Sequence, residues 1–189
     1  TIHSYWYIFI VNIYKGISAS TGIGISTVYF ANTANLHIPK ITILDSEKDA
    51  QWEKFENARN QVLETMSRAS ENTSPEQAAI FQTYCMMLSD PDFVSQVKVD
   101  FQKQSLNIEF IINEKVNQFA QNLFLSGDEY LKARADDIKD VYHKVLSLML
   151  NQKVLTAKNI PEGSILVAEY INPSDVMFIK KKKLKGIIT

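Results

Sequence analysis

The sequence predicts a discontinuous α/β domain interrupted by a helical bundle. Three observations lead there. β-prone residues (Ile25, Val28, Tyr29 and Phe30) gather near the start of the 189-residue chain. They return near the end, in Ser164–Ala168 and Gly186–Thr189. Between them, from about Asp45 to Asn151, apolar residues recur at three- and four-residue steps. Strands that flank one helical insertion are expected to share a sheet, with the bundle inserted between them.

Residues 1–14 stand apart as an apolar N-terminal extension. Tyr5 to Ile13 is apolar apart from Asn12. A transmembrane helix needs about 20 apolar residues, so no span is expected. A signal peptide wants a basic start and a small-residue cleavage site, and neither precedes Lys15. The stretch reads as an upstream extension, a processing product or a gene-prediction artefact. A membrane-associating or partner-binding tail is the alternative. Lys15 to Asn32 then reads as a turn leading into a strand at about 23–31. Its T-G-I-G-I-S run lacks the G-K-[ST] ending, and no helical pattern follows, so it is not a phosphate loop.

Five helices are expected next. The first carries Trp52, Phe55, Ala58, Val62 and Met66 on one face, with Ser46 and Asp49 as its capping box. The second opens at Ser74-Pro75-Glu76-Gln77, where serine suits the cap, proline the first turn and Gln77 the return bond. Its apolar side is Ile80, Phe81, Tyr84, Met87 and Leu88. Asp90-Pro91 stops that helix and starts a shorter one to about Lys103. Asn107 to Leu125 carries Ile108, Ile111, Ile112, Val116, Phe119 and Leu123. Ser126-Gly127-Asp128-Glu129 is both a stop and another capping box. The fifth helix, about 128–151, has Leu131, Ala135, Ile138, Val141, Val145 and Leu148 on one face. After it come a turn at Ile160–Gly163, a buried strand at Ser164–Ala168, and a turn and cap at Asn172–Asp175 opening a short helix to about Lys180. A strand then begins at Gly186. The division is 15–42 with 153–189 for the α/β part, and 43–152 for the bundle.

Composition sets limits on function. Twenty Lys and Arg face 21 Asp and Glu, a balance that argues against a general nucleic-acid binder. One cysteine, Cys85, excludes an internal disulfide and a Cys-based metal site. The three histidines, His3, His37 and His143, show no metal-ligand spacing, and no G-x-S-x-G elbow is present. The neutral total hides an asymmetry. Residues 45–152 hold 18 acidic and 11 basic side chains, a net of −7, which leaves +6 for the rest. An acidic helical face suits a basic protein partner, with a merely solvated surface as the alternative. The lysine run Lys180–Lys183 with Lys185 reads as a solvated helix end.

Four stretches, in order, carry a resemblance. They are K-G-I-S-A-S-T-G-I-G-I-S (15–26), E-Q-A-A-I-F-Q-T-Y-C-M-M-L-S-D-P-D-F (76–93), D-E-Y-L-K-A-R-A-D-D-I-K-D-V (128–141) and I-L-V-A-E-Y-I-N-P-S-D-V (165–176). Together they resemble the N-terminal half of enzyme I, the phosphoenolpyruvate–protein phosphotransferase family of the bacterial sugar phosphotransferase system. The resemblance covers about 15–189. It implies a swivelling phosphohistidine-type α/β domain whose helical insertion binds the small phosphocarrier HPr. It places the active histidine just after Thr189, so no catalytic residue is expected here, and His143 reads as a surface or packing residue. It implies no cofactor in this chain, since magnesium and phosphoenolpyruvate belong to a barrel further on.

By the same resemblance, HPr-binding positions are Glu76, Ala79, Ile80, Tyr84, Met87, Asp90, Asp92 and Phe93, joined by Leu123, Tyr130 and Arg134. Pro75, Gln77 and Tyr84 stand where family members often carry charged or histidine residues. Val176 stands where a hydroxyl residue often supports the histidine. The chain alone is expected to dock HPr without accepting phosphate. It is expected to be cytoplasmic and monomeric, with no nucleic acid or membrane span. The alternatives are a non-catalytic module binding an HPr-like carrier and a degenerate gene remnant.

Overall fold

The computed structural model describes residues 12–31, 36–71, 73–152, 160–169, 171, 175–176, 179 and 182–189. Most of the 1–14 extension, the turn at 172–174 and Lys180–Lys181 lie outside them. Among the described residues, eight regular elements follow in order: β1 (Val28–Phe30), α1 (Lys48–Glu71), α2 (Pro75–Ser89), α3 (Pro91–Lys103), α4 (Ile108–Leu125), α5 (Glu129–Met149), β2 (Ile165–Val167) and β3 (Gly186–Ile188). A short 3₁₀ turn, Asp45–Glu47, precedes α1.

The flanking strands share one parallel sheet in the order β1-β2-β3. Val28 pairs with Ile165 and Ile165 with Gly186, so the start and end of the chain meet across β2. β1 is shorter than the expected 23–31. Ahead of it, Gly24 approaches the backbone just before β3: a β-carbon there would collide with the Lys185 carbonyl.

The helical core matches the predicted phase of α1. Phe55, Ala58, Val62 and Met66 are buried, and Trp52 is half-buried with its ring edge-on to Phe55 at 5.3 Å. α2 contributes Phe81, Tyr84 and Leu88; α3 contributes Phe93, Val97 and Phe101; α4 contributes Ile108, Ile111, Ile112, Val116 and Ala120. α1 packs on α2 and α4 on α5, while α5 also touches α1 and α2. The expected face of α5 holds at Ala135, Ile138, Val141 and Val145, but Leu148 is 40% exposed. Tyr142, Leu146 and Met149 are buried instead, so the apolar stripe drifts around the helix at its end.

Two helix starts depart from the sequence reading. Ser46 and Asp49 form no capping box; the Glu47 carboxylate accepts the Leu44 N–H at 2.7 Å instead. The Ser74 hydroxyl makes no cap bond to the backbone, and Gln77 accepts the Thr73 hydroxyl. Asn107 leads α4, but its side chain is drawn elsewhere, accepting Ile41 N–H at 2.9 Å and donating to Glu109 at 3.0 Å. The orphan Ile108 N–H is taken by Gln51 of α1, at 2.9 Å. The cap expected at Asp90 is present, while α5 is capped by Asp128 and not by a Ser126–Glu129 box. Asp90 accepts Asp92 and Phe93 N–H groups, and Asp128 accepts those of Tyr130 and Leu131.

The boundary before the bundle also moves. Leu36 and Ile38, assigned from sequence to the α/β part, pack against the helical core. Thr42 bridges Leu106 antiparallel, and Ile43 N–H reaches the Ser105 carbonyl at 3.1 Å. Residues 36–43 are therefore stitched to the α3–α4 loop. Gln152 closes the other end, donating to the His37 carbonyl at 2.8 Å and accepting the His37 N–H at 3.2 Å. The sheet has its own small core of Ile160, Leu166 and Ile179.

Candidate functional site

The α2–α3 corner positions most of the residues singled out from sequence. Helical phase decides which can meet a partner. With Phe81, Tyr84 and Leu88 turned inward, the outward positions are Glu76, Ala79, Gln82 and Met86, all exposed. Met86 is 73% exposed and was missed by the sequence reading, which favoured its neighbour Met87. Met87 and Ile80 are half-buried and lean on the core. The signal for Met86 was available: it lies seven residues from Ala79 and three and four from Thr83 and Gln82.

Glu76 sits in the first turn of α2. Its carboxyl is held below the usual range by a backbone N–H of that turn and then by the Ser74 hydroxyl. It therefore stays anionic at the helix's positive end. Asp90 spends one carboxylate oxygen capping α3, at 2.9 Å from Asp92 N and 3.2 Å from Phe93 N. Asp92, two residues on, is exposed and bears its charge outward.

Two residues named for docking belong to the interior. Phe93 is 3% exposed, with its ring 5.7 Å from Phe119 and 4.8 Å from Tyr142. Tyr84 is 0% exposed and donates its hydroxyl to Asp140 at 2.8 Å. Burial, then the charges of Asp140 and Asp137, push the Tyr84 hydroxyl far above its ordinary pKa. It remains a proton donor inside the bundle and presents nothing to a partner.

The start of α5 forms a second group. Tyr130 is 64% exposed, and Arg134 lies over its ring at 4.8 Å while donating to its hydroxyl at 3.0 Å. Arg134 also donates to Asp137 at 2.7 Å, which in turn acts on Tyr84 from α5. Leu123 is half-buried, and its carbonyl accepts the Ser126 hydroxyl at 2.6 Å. Beside it, Phe124 and Leu125 are exposed and were not singled out from sequence. Lys132 sits over Phe124 at 5.8 Å, so this end of the bundle offers aromatic surface edged with cations.

His143 is half-buried on α5, and burial lowers its pKa first, with Lys144 adding to that and Asp140 and Asp175 opposing. It packs as a neutral ring. Among the described residues, no group of three or more His, Cys, Asp or Glu side chains is placed to hold a metal ion. Among them also, no helix is long and apolar enough to cross a membrane.

A family model described as PEP-utilising enzyme, N-terminal, matches residues 15–134. The chain belongs to this family. As a member of the PEP-utilising enzyme N-terminal family, it is 33% identical over 179 residues to the phosphoenolpyruvate-protein phosphotransferase of Bacillus subtilis (strain 168), covering 93% of this chain and 31% of that protein. The phosphoenolpyruvate-protein phosphotransferase of Geobacillus stearothermophilus is 31% identical over 176 residues, covering 92% of this chain and 30% of that protein. The chain thus spans under a third of the length of these curated relatives. An NMR solution structure of enzyme I superposes with a TM-score of 0.80 at 26% identity, covering 92% of this chain and 71% of that one. The N-terminal domain of the nitrogen enzyme I superposes with a TM-score of 0.66 at 21% identity, covering 86% and 67%, a likeness of fold. The helical insertion in a discontinuous α/β domain expected from sequence is the architecture of this enzyme I N-terminal domain.

Proposed function

We propose that the bundle is a docking module for the phosphocarrier HPr, serving phosphoenolpyruvate-dependent sugar uptake as the N-terminal portion of a phosphoenolpyruvate–protein phosphotransferase. The observation that carries this reading is the outer face of α2. Glu76, Ala79, Gln82 and Met86 line it, and Asp92 continues its charge onto α3. An exposed methionine among small and acidic side chains offers one apolar anchor inside a negative rim. The bundle's net charge of −7 steers a basic partner toward it. Tyr130 and Arg134 form a second, outlying contact on a helix that packs against α2.

Neither described histidine is assigned the role of phosphoryl acceptor: His37 is exposed but lies on the segment clamped to Gln152, and His143 is half-buried. A histidine acceptor must be neutral, accessible and in line with the phosphorus. His143 is neutral but packed within α5, and the two docking groups do not surround it. The chain's own residues therefore bind and orient a carrier, with magnesium and phosphoenolpyruvate held elsewhere in the enzyme, and the chain acts as a cytoplasmic monomer.

Titrating the ¹⁵N-labelled chain with HPr tests the docking. Amide shifts are expected along Glu76–Met86, at Asp92 and at Tyr130, with the sheet unperturbed. No shifts, or shifts confined to the sheet, would refute it. With ³²P-phosphoenolpyruvate, magnesium and HPr, the chain should stay unlabelled, and label on this chain would overturn that part.

A further inference from the structure

Among the described residues, the bundle and the sheet have separate hydrophobic clusters that share no residue. Two chain crossings join them, and on the bundle side His37 and Gln152 clamp these together by reciprocal hydrogen bonds. A neck made at one place fixes distance but leaves rotation about itself. Orientation needs a contact away from the neck. Lys144 of α5 supplies one, donating to Asp175 of the α/β part at 2.8 Å. The side chains are 14% and 9% exposed, so water does little to loosen the pair.

The pair does not stand alone. Lys144 also lies 3.6 Å from Asp140, one turn back on α5, whose side chain is 4% exposed. Asp140 in turn accepts the Tyr84 hydroxyl of α2 at 2.8 Å. α2, α5 and the stretch after β2 are thus joined by one line of charge-assisted contacts, Tyr84–Asp140–Lys144–Asp175, running from the inner side of α2 into the α/β part. Such a network has discrete made and broken arrangements, because an unpaired charge at this depth is costly.

We propose that the Lys144–Asp175 ion pair is an orientation latch, which sets how the outer face of α2 is presented relative to the end of β3. Lys144 and Asp175 are positioning residues. Made, the pair holds bundle and sheet as one rigid unit; broken, it frees them to rotate about the His37–Gln152 neck. The latch acts on the chain itself and holds whether or not a carrier binds.

Residual dipolar couplings on the full 189-residue chain test it. Amides of the bundle and of the sheet should fit one shared alignment tensor in the unsubstituted chain. In Asp175→Ala, which leaves the Lys144–Asp140 contact in place, each part should keep its own internal fit while the shared tensor is lost. Asp175→Glu, which can still reach the ammonium, should restore it. Lys144→Met is a second break from the other side. The proposal is overturned if the unsubstituted chain already needs two tensors. It is equally overturned if Asp175→Ala keeps one tensor at the original orientation, or if its internal fits collapse, since the pair would then support the fold and not the orientation.

Discussion

Replacing Tyr84 by Phe removes one oxygen and leaves the ring where it is. The same change at Tyr142 is its control, since both side chains are 0% exposed. Their hydroxyls differ. Tyr84 donates to Asp140 at 2.8 Å, whereas among the described residues the Tyr142 hydroxyl finds no hydrogen-bond partner. A hydrogen bond to a charged group contributes about 1.5–3 kcal/mol, and losing it also strips a buried carboxylate of a donor. Tyr84→Phe should therefore cost about 2 kcal/mol. Tyr142→Phe should be neutral or stabilising, because it removes a buried polar atom that gains nothing. At about 2–4 °C per kcal/mol for a chain of this size, the melting midpoint should fall by about 4–8 °C for Tyr84→Phe and hold or rise for Tyr142→Phe. Helical ellipticity at 222 nm reads this directly. HPr affinity, measured by calorimetry below the melt, should not change in either variant. An unchanged midpoint in Tyr84→Phe with weakened HPr binding would refute the reasoning, and would return Tyr84 to the docking surface.

Other outcomes follow from the same structure. Burial raises the pKa of both Tyr84 and Tyr142, so their protonated forms stabilise the fold below the usual tyrosine range of about 10, and that contribution is lost as pH rises above it. Absorbance at 295 nm should show two of the eight tyrosines ionising late, together with loss of helix. Glu109 is pushed up by burial but pulled lower overall by hydrogen bonds from Lys54 and Asn107 and its backbone. Its contribution is therefore present above the carboxylate range of about 4.3 and is lost as pH falls; Lys54→Met removes a donor that holds this pKa down, so stability near neutral pH should drop while its further fall in acid, followed by fluorescence, should flatten. Met86→Ala should leave the melt within about 0.5 kcal/mol, as exposed positions do, yet weaken HPr binding several-fold in the same calorimetric titration.

Much of the bundle was legible because its signals are local. The step from Phe55 through Ala58 and Val62 to Met66 is a helix face whatever surrounds it, and Asp90-Pro91 writes its own cap. That the two flanks share one sheet also followed, since a shared sheet gives both sets of strands partners; their parallel direction was seen only in the fold. What escaped was set by distant residues. Tyr84 and Asp140 are 56 positions apart, so the aromatic that looked like a docking group could not be seen to have a buried acceptor. Gln51 caps α4 from another helix, which left Asn107 free to bind the Ile41 segment. Met86 and Met87 are adjacent and chemically alike; only the inward turn of Tyr84 and Leu88 assigns one to the surface. The drift that exposes Leu148 reflects α5 turning from one neighbour to another at its C-terminal end.

The His37–Gln152 clamp has a consequence for how such a chain can be built. Because the first and last residues of the helical unit are held within hydrogen-bond reach, the unit enters and leaves its host through a single narrow gate. A host sheet can then accept or lose the whole insertion without separating β1 from β2. Residues 36–152 should accordingly behave as a portable cassette, able to fold when cut out, whereas a cut at residue 43 would discard Leu36, Ile38 and half of the gate.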